Sequence, residues 1–416
     1  MDESDCGCGL PEITAIDLSG WESVMDGVAK KMHSGELAPG EVSKDYVKNT
    51  YDELYKGGKK GYGKDWAKMG EDADNDRTIR SLKKNMFNFS GAKGYTMQQE
   101  MQDLMTKNGK LVPFNEFKSK VRELNPKYNG NYLQAEFQTA RQTANHVRNW
   151  QQFQKDKDVF PNLKYMTSND DRVRDGHKDL HGTVKPVGDE FWNTFYPPNG
   201  WRCRCYATQT SEPASGQEYP ADKAEGLGVG KAFAANPAKT GEVYSKKKHP
   251  YFAMASVSGG KKLETQMEYA KADAPSEIAW SKAGATIRIS PFVNSEPKVL
   301  TDNYRSALIL ATKVGANVEL NAHMNQKLVK ERPNLAYKVN GKAGDRHAPS
   351  GASYKTALKT ANGNGTVVMV VDLAISKESM DTAVRKITAD LPNYKNVKEV
   401  YLISAEGTEV KHLFNG

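Results

Sequence analysis

No run of apolar residues approaches the roughly 18–20 that a membrane-spanning helix needs, so a helical transmembrane class is excluded. The first ten residues, Met1-Asp-Glu-Ser-Asp-Cys-Gly-Cys-Gly-Leu10, lack the basic start and apolar stretch of a secretory signal. The expectation is a protein kept in a cytoplasm, or packed into a particle assembled there. Cysteine is scarce: the 416 residues hold four, Cys6, Cys8, Cys203 and Cys205. That is too few for a disulfide scaffold in a chain of this size. All four fall in Cys-x-Cys pairs, and paired thiols in a reducing compartment point to metal ligation or redox chemistry. Charge of one sign is also lacking, since 59 basic residues face 51 acidic ones. The net +8 permits contact with nucleic acid, but reads mainly as a solvated surface. A mean hydropathy of −0.71 fits an ordinary soluble protein with polar connections rather than wholesale disorder. No internal repeat is present, and the length predicts two or three domains.

The pattern along the chain predicts a multi-domain α+β protein. Residues 1–15 are expected to be a flexible tail carrying Cys6 and Cys8. Residues 16–160 read as a helical docking region, tyrosine-rich, with glycine-rich interruptions near 57–63 and 91–94. Its best helix is Tyr132 to Phe153, where Leu133, Phe137, Ala140, Ala144, Val147 and Gln151 recur at three- and four-residue steps. Periodicity vanishes over 161–210, which predicts a compact, turn-rich module. Residues 211–250, rich in Ser, Pro and Gly, read as a linker, and 251–297 as a bridging segment. Residues 298–416 alternate helices with buried strands, as in an α/β sheet domain. A hairpin there is expected at Asn340-Gly341, a buried strand over 366–371, a helix from Ser376 and a strand over 397–404.

In the central module, Asp171, Arg172 and Arg174 are close enough in sequence for a carboxylate–guanidinium network. His177 can meet Cys203 and Cys205 if the chain folds back, which gives three soft ligands for a structural zinc. A fourth could come from His181, Asp171, Cys6 or Cys8. Against this, a one-residue spacer strains chelation of one ion by both thiolates. A metal-free knot of cysteines, Trp192, Trp201 and the Arg–Asp pairs is the competing reading. No base or oxyanion arrangement beside the thiols marks them as catalytic.

Two segments here, Tyr165-Met-Thr-Ser-Asn-Asp-Asp-Arg-Val-Arg-Asp-Gly-His-Lys-Asp-Leu-His-Gly182 and Pro197-Pro-Asn-Gly-Trp-Arg-Cys-Arg-Cys205, resemble the Mu F-like family of phage minor head proteins. The resemblance implies a low-copy head protein acting in head morphogenesis near the portal. Its location would be the virion, as head or procapsid, and the bacterial cytoplasm during assembly. Its partners would be portal and capsid proteins.

Further on, Arg332-Pro-Asn-Leu-Ala-Tyr-Lys-Val-Asn-Gly-Lys-Ala-Gly-Asp-Arg-His-Ala-Pro349 resembles the core of contact-dependent-inhibition nuclease toxins, related to PD-(D/E)xK nucleases. This second resemblance implies a metal-dependent nuclease acting on RNA or DNA, with magnesium or zinc bound and an immunity protein as partner. Glu319 and Asp345 are its natural ligand pair, since such chemistry needs carboxylates to hold the ion that activates water. His347 stands where the family has lysine, and can serve as base or ligand. Lys355 could supply the missing ammonium, whereas Asp372 reads as a strand-end turn residue. The alternative is a structural head protein whose C-terminal domain is an inactive binding module. A free-standing toxin is disfavoured by the central motif.

Overall fold

The computed structural model describes residues 19–67, 73–294, 296–350 and 353–415. The chain is mixed α/β and divides into two compact units, residues 1–66 with 81–266, and residues 67–80 with 267–416. Cys6 and Cys8, with the tail they were assigned to, lie outside the described residues.

The first unit begins as a helical platform: α1 (Trp21–His33), α2 (Lys44–Tyr62), α3 (Ala73–Leu104), a short hairpin of β1 (Thr106–Lys107) and β2 (Lys110–Leu111), and α4 (Phe114–Asn125). A wide π-type turn, Pro126–Tyr132, then leads into α5 (Leu133–Asp156). The Ser43 side chain caps α2 by accepting from the Tyr46 amide, with Asp45 in the first turn and Lys59 and Lys60 in the last. The glycines read as interruptions lie inside helices: α2 runs through Gly57, Gly58 and Gly61, and α3 through Gly91 and Gly94. They serve close packing. A Cβ on Gly57 would sit 2.8 Å from the Phe137 carbonyl oxygen, and one on Gly61 1.8 Å from that of Arg141. Alanine-like side chains would therefore push α2 off α5. α5 buries Leu133, Phe137, Ala140, Ala144 and Val147, as its periodicity predicts, while Gln151 is half-buried.

The module that follows is a three-stranded antiparallel sheet, β4 (Val184–Pro186), β3 (Asn162–Met166), β5 (Tyr206–Thr210), in that order. Between its strands lie α6 (Asp175–Leu180) and α7 (Phe191–Thr194). Leu163, Tyr165, Trp192, Phe195 and Tyr196 pack with Trp150 and Phe153 of α5 into one core that also takes in Cys203 and Cys205.

Residues 211–250 are no linker. They form a strap within the first unit, with two 3-10 turns, Ala221–Lys223 and Lys231–Phe233, and one short α-helix, α8 (Pro237–Thr240). Val229, Phe233, Val243 and Tyr244 are buried. The Asn85 side chain accepts from the amides of Val243 and Tyr244 at 2.9 and 2.8 Å and donates to the Tyr244 carbonyl at 2.9 Å. The Tyr244 ring stacks on Phe89 at 3.7 Å. A polar composition conceals such a strap because one aromatic anchor every several residues suffices, while Pro and Gly shape the turns between anchors. After α9 (Pro250–Met254), the boundary between the units falls within α10 (Gly260–Lys271).

The expected bridging segment, 251–297, belongs to the first unit through Gln266 and to the second from Met267. Its β6 (Glu277–Lys282) and β7 (Ala285–Ile289) form the edge hairpin of the second unit's eight-stranded mixed sheet. Then come α11 (Pro297–Val314), β8 (Val318–Leu320), β9 (Tyr337–Val339), β10 (Lys342–His347), α12 (Tyr354–Gly363), β11 (Val368–Asp372), α13 (Met380–Asp390), β12 (Glu399–Ile403) and β13 (Val410–Phe414). The strands lie in sequence order, with parallel pairs β7–β8, β10–β11 and β11–β12. One face packs on α11 and the other on α12 and α13, so β11 is buried on both sides, as its unbroken apolar run predicts. Asn340 and Gly341 take positive φ, 50° and 80°, in the expected hairpin turn. One helix start is displaced from expectation: α13 opens later than Ser376, capped by the Ser379 hydroxyl, while α11 opens on Pro297.

Gly61→Ala should cost about 2–3 kcal/mol in denaturant unfolding, the range of overpacking a tight contact. Gly20→Ala, where an added Cβ meets nothing within 4 Å, should stay within about 0.5 kcal/mol of the parent. Equal stability of the two variants would refute the close-packing role.

Candidate metal centre

The segment just before β5 sets the site. Cys203 and Cys205 both turn into the core, while Arg204 between them turns to Asp170. Both thiols are buried, and α6 brings His177 against them. His177 Nδ1 lies 3.8 Å from Cys203 Sγ and 3.5 Å from Cys205 Sγ. The three ligand atoms all fall within 4.8 Å of one another. Tetrahedral zinc, with Zn–S near 2.3 Å and Zn–N near 2.0 Å, places imidazole and thiolate ligand atoms about 3.5 Å apart, so these side chains fit such an ion.

The surroundings prepare the ligands. His177 Nε2 faces the Gly228 carbonyl oxygen at 3.1 Å; a proton held there leaves the Nδ1 lone pair aimed at the sulfurs, the usual outer-shell arrangement of a metal-bound histidine. Gly176 makes this approach possible, since a Cβ there would strike the Leu227 backbone at 2.3 Å. The Cys203 thiol is held well below its ordinary range by its hydrogen bond with Cys205, with His177 and the Asn199 amide adding to the effect against desolvation. Cys205 is pushed up in turn by that same bond and by burial. Their mutual hydrogen bond sets a thiol proton between the two sulfurs, which a cation would displace. Nearby, His146 is buried and its pKa is lowered to about 4 by burial, with the Cys203 charge pulling the other way. Its Nδ1 has no hydrogen-bond partner. Tyr165 donates to Asn199 Oδ1 at 2.8 Å and also contacts Cys205.

An arginine frame surrounds the centre. Arg204 grips both carboxylate oxygens of Asp170, with Nη2···Oδ1 at 2.5 Å. The Arg172 amide donates to Asp170 Oδ1 at 3.1 Å. Arg174 donates to the Trp201 carbonyl at 2.8 Å, and Arg202, at φ 57°, reaches Asn131 Oδ1 at 2.5 Å. The expected carboxylate is thus displaced by one residue, because Asp171 is exposed while Asp170 faces the Cys-x-Cys segment. His181 is exposed and accepts from the Thr167 amide at 3.1 Å, so neither it nor Asp171 joins the cluster. Trp192 lies in the core with Nε1 donating to the Pro186 carbonyl, and Trp201 packs half-buried on Phe233. The spacing did not indicate Gly228, Asn199 or His146, which act through backbone groups or from distant helices.

In the second unit, strand alternation puts Glu319, Asp345 and His347 on the sheet face opposite α11. Glu319 faces Lys338 Nζ at 3.5 Å. Asp345 Oδ1 accepts from the amides of Ala336 and Arg346 at 3.1 and 3.0 Å, and burial raises its pKa. Burial lowers that of His347. Lys355 is exposed near the start of α12. Among the described residues these groups form no three-ligand cluster. Asp372 is fully buried, held by Ser306 Oγ at 2.6 Å, Arg305 at 2.8 Å and Arg346 at 3.1 Å.

The family described as Phage Mu protein F like protein matches residues 89–208. The Mu-like prophage FluMu F protein of Haemophilus influenzae is 38% identical over 82 residues, 20% of this chain and 20% of that protein. The "Putative capsid assembly protein F" of Escherichia phage Mu is 41% identical over 63 residues, 15% of this chain and 14% of that protein. The chain therefore spans a fifth or less of the length of these curated relatives. A CdiA-CT/CdiI toxin and immunity complex from Burkholderia pseudomallei covers 28% of this chain at 22% identity, with a TM-score of 0.24. So slight a likeness supports neither fold nor function.

The clamp has a pH signature. Arg204 first, then the Arg172 amide, hold the Asp170 carboxyl down at about 2. A depressed pKa means the clamp is fully present above the ordinary carboxylate range, near 4, and is lost as pH falls through about 2. In a carboxyl-detected NMR titration, Arg204→Ala should return the Asp170 midpoint toward about 4. An unmoved midpoint would rule out Arg204 as the cause.

Proposed function

We propose that this chain is a component of a phage head, acting in capsid assembly, and that its central module is held together by one structural zinc ion. The observation that carries the reading is a coincidence of two boundaries. The matched residues 89–208 include His177, Cys203, Cys205 and the arginines framing them, so the likeness to head proteins and the candidate metal centre fall on one folded element. Portal and capsid proteins are the partners this role implies, and the virion is its place.

Zinc is favoured by the donor set. Two thiolates and an imidazole are soft, suit a tetrahedral ion, and occur here without the oxygen donors that calcium or magnesium require. Once bound, the ion would tie α6 to the segment before β5 and supply no redox chemistry. His177 is kept in the ligating tautomer by Gly228, and the shared thiol proton leaves on binding.

For the second unit, the finer expectation of a metal-dependent nuclease is supported by the common face of Glu319, Asp345 and His347. The engaged state of both carboxylates favours the other reading, a binding module attached to a head protein.

Mass spectrometry of gradient-purified virions should detect the chain, and deletion of its gene should lower the yield of infectious particles. Its absence from virions together with undiminished yield would overturn the head assignment. Separately, the purified protein should carry about one zinc per chain by elemental analysis, since one ion satisfies the three ligands. Cys203→Ser/Cys205→Ser should abolish that content, and chelation should lower the Tm of the parent but not of the variant. Absence of stoichiometric metal in the parent would refute the zinc centre.

A further inference from the structure

The first unit contains a cleft of about 1360 Å³, walled on one side by the π-type turn and α5 and on the other by the segments 172–174, 201–204 and 249–254. That exceeds the roughly 300–1,000 Å³ of small-molecule sites, so a polymer segment fits it better. Four arginines of the central motif, Arg172, Arg174, Arg202 and Arg204, converge on it from one wall, and Arg141 of α5 comes from the other.

Most of this charge is uncompensated. Arg204 is spent on Asp170, and Lys127 on Glu100 at 2.9 Å. Glu136, at the cleft floor, is neutralised by the buried Lys93 at 2.6 Å. Arg174 and Arg202, however, reach only carbonyl and amide oxygens, Arg172 shares Asp170 at 3.4 Å, and no carboxylate among the described residues pairs with Arg141. Planar rings lie between the cations: Tyr132 is 38% exposed, and Trp201 and Tyr251 are half-buried. Side-chain amides complete the lining. One of them, Gln142 Oε1, is shut off from solvent with no partner, an acceptor waiting for a donor.

We infer that the cleft binds a single-stranded stretch of nucleic acid, with phosphates on Arg141, Arg172, Arg174 and Arg202 and bases against Tyr132, Trp201 and Tyr251. Guanidiniums interleaved with aromatic faces are the chemistry of sequence-tolerant strand binding. An acidic peptide would satisfy the charge and leave the rings without stacking partners. A duplex hides its base faces, so it too would leave them unused. No group lining the cleft distinguishes ribose from deoxyribose by charge, so DNA and RNA strands share the recognition. The inference stands apart from the head assignment and from the metal, since it rests on the cleft alone.

The test is fluorescence anisotropy with the full chain and labelled oligo-dT and oligo-rU of about 12 nucleotides, a length within known strand-site sizes. A duplex and poly-glutamate serve as the opposing arms. The strand should bind with Kd between about 1 and 100 μM near physiological salt. Log affinity should fall against log salt with a slope near −3, from four phosphate contacts at about −0.7 each. Arg141→Ala and Arg202→Ala should each make the slope shallower by about 0.7, and Arg202→Lys should restore it. Tyr132→Ala should weaken binding about fivefold or more without changing the slope. Unchanged thermal unfolding of each variant controls for folding, with Tyr132→Ala as the mildest substitution. Tighter binding of dT or of rU identifies the natural strand, and either supports the site. No strand binding at about 100 μM, equal or tighter binding of duplex or poly-glutamate, or slopes indifferent to the arginine variants would overturn it.

Discussion

Side-chain alternation along three residues, Cys203-Arg204-Cys205, is the constraint on which the central module depends. Two thiols there enter the core beside His177 while the guanidinium between them turns to Asp170. One segment thus closes the core, positions a candidate ion and fixes the loop at 170–174. Each of these needs the others. Released from Asp170, Arg204 would carry an unpaired charge at the lip of a buried thiol pair. Without an ion or a shared proton, two thiolates packed this closely would repel.

The platform beneath is organised by backbone proximity rather than by bulky side chains. Gly57 and Gly61 let α2 lie close enough to α5 that helix carbonyls occupy the space of absent Cβ atoms. Deeper in, Lys93 spends its ammonium on Glu136 and on the Tyr128 carbonyl at 2.7 Å. A buried pair of this kind costs desolvation on both partners, and it stabilises little beyond fixing which groups face each other. What it fixes here is the floor of the cleft, since Glu136 and Tyr128 both line it.

Legibility in the sequence followed the range of the interactions. Elements specified by their own residues were readable: α5 by its apolar period, the Asn340-Gly341 hairpin by its left-handed turn, and β11 by an apolar run buried on both sides. His177, Cys203 and Cys205 were readable as soft donors that meet if the chain folds back, and the structure brings the three together. What stayed hidden depended on distant partners. Glycines look alike whether they break a helix or admit a neighbouring one. A strap anchored by Asn85 looks like a linker until Asn85 is found beside it. The cleft joins a helix to loops dozens of residues away, and only the arginines of the motif hinted at it.

In the second unit, burial acts on two carboxyls with opposite outcomes. Asp345 and Asp372 sit on neighbouring strands, yet they face opposite sides of the sheet and meet opposite treatment. Burial pushes the Asp372 carboxyl up, but Ser306, the Ala374 amide and Arg346 outweigh it, so the group stays a buried anion locked to α11. Asp345 has amides rather than cations beside it, and burial prevails, raising its pKa. Both amide bonds, from Ala336 and Arg346, fall on Oδ1. His347, on the same strand face, is driven toward neutrality by burial and by Arg346. One sheet thus carries two carboxyls set in opposite ways, Asp372 ionised against arginines on the α11 face and Asp345 held by amides on the other.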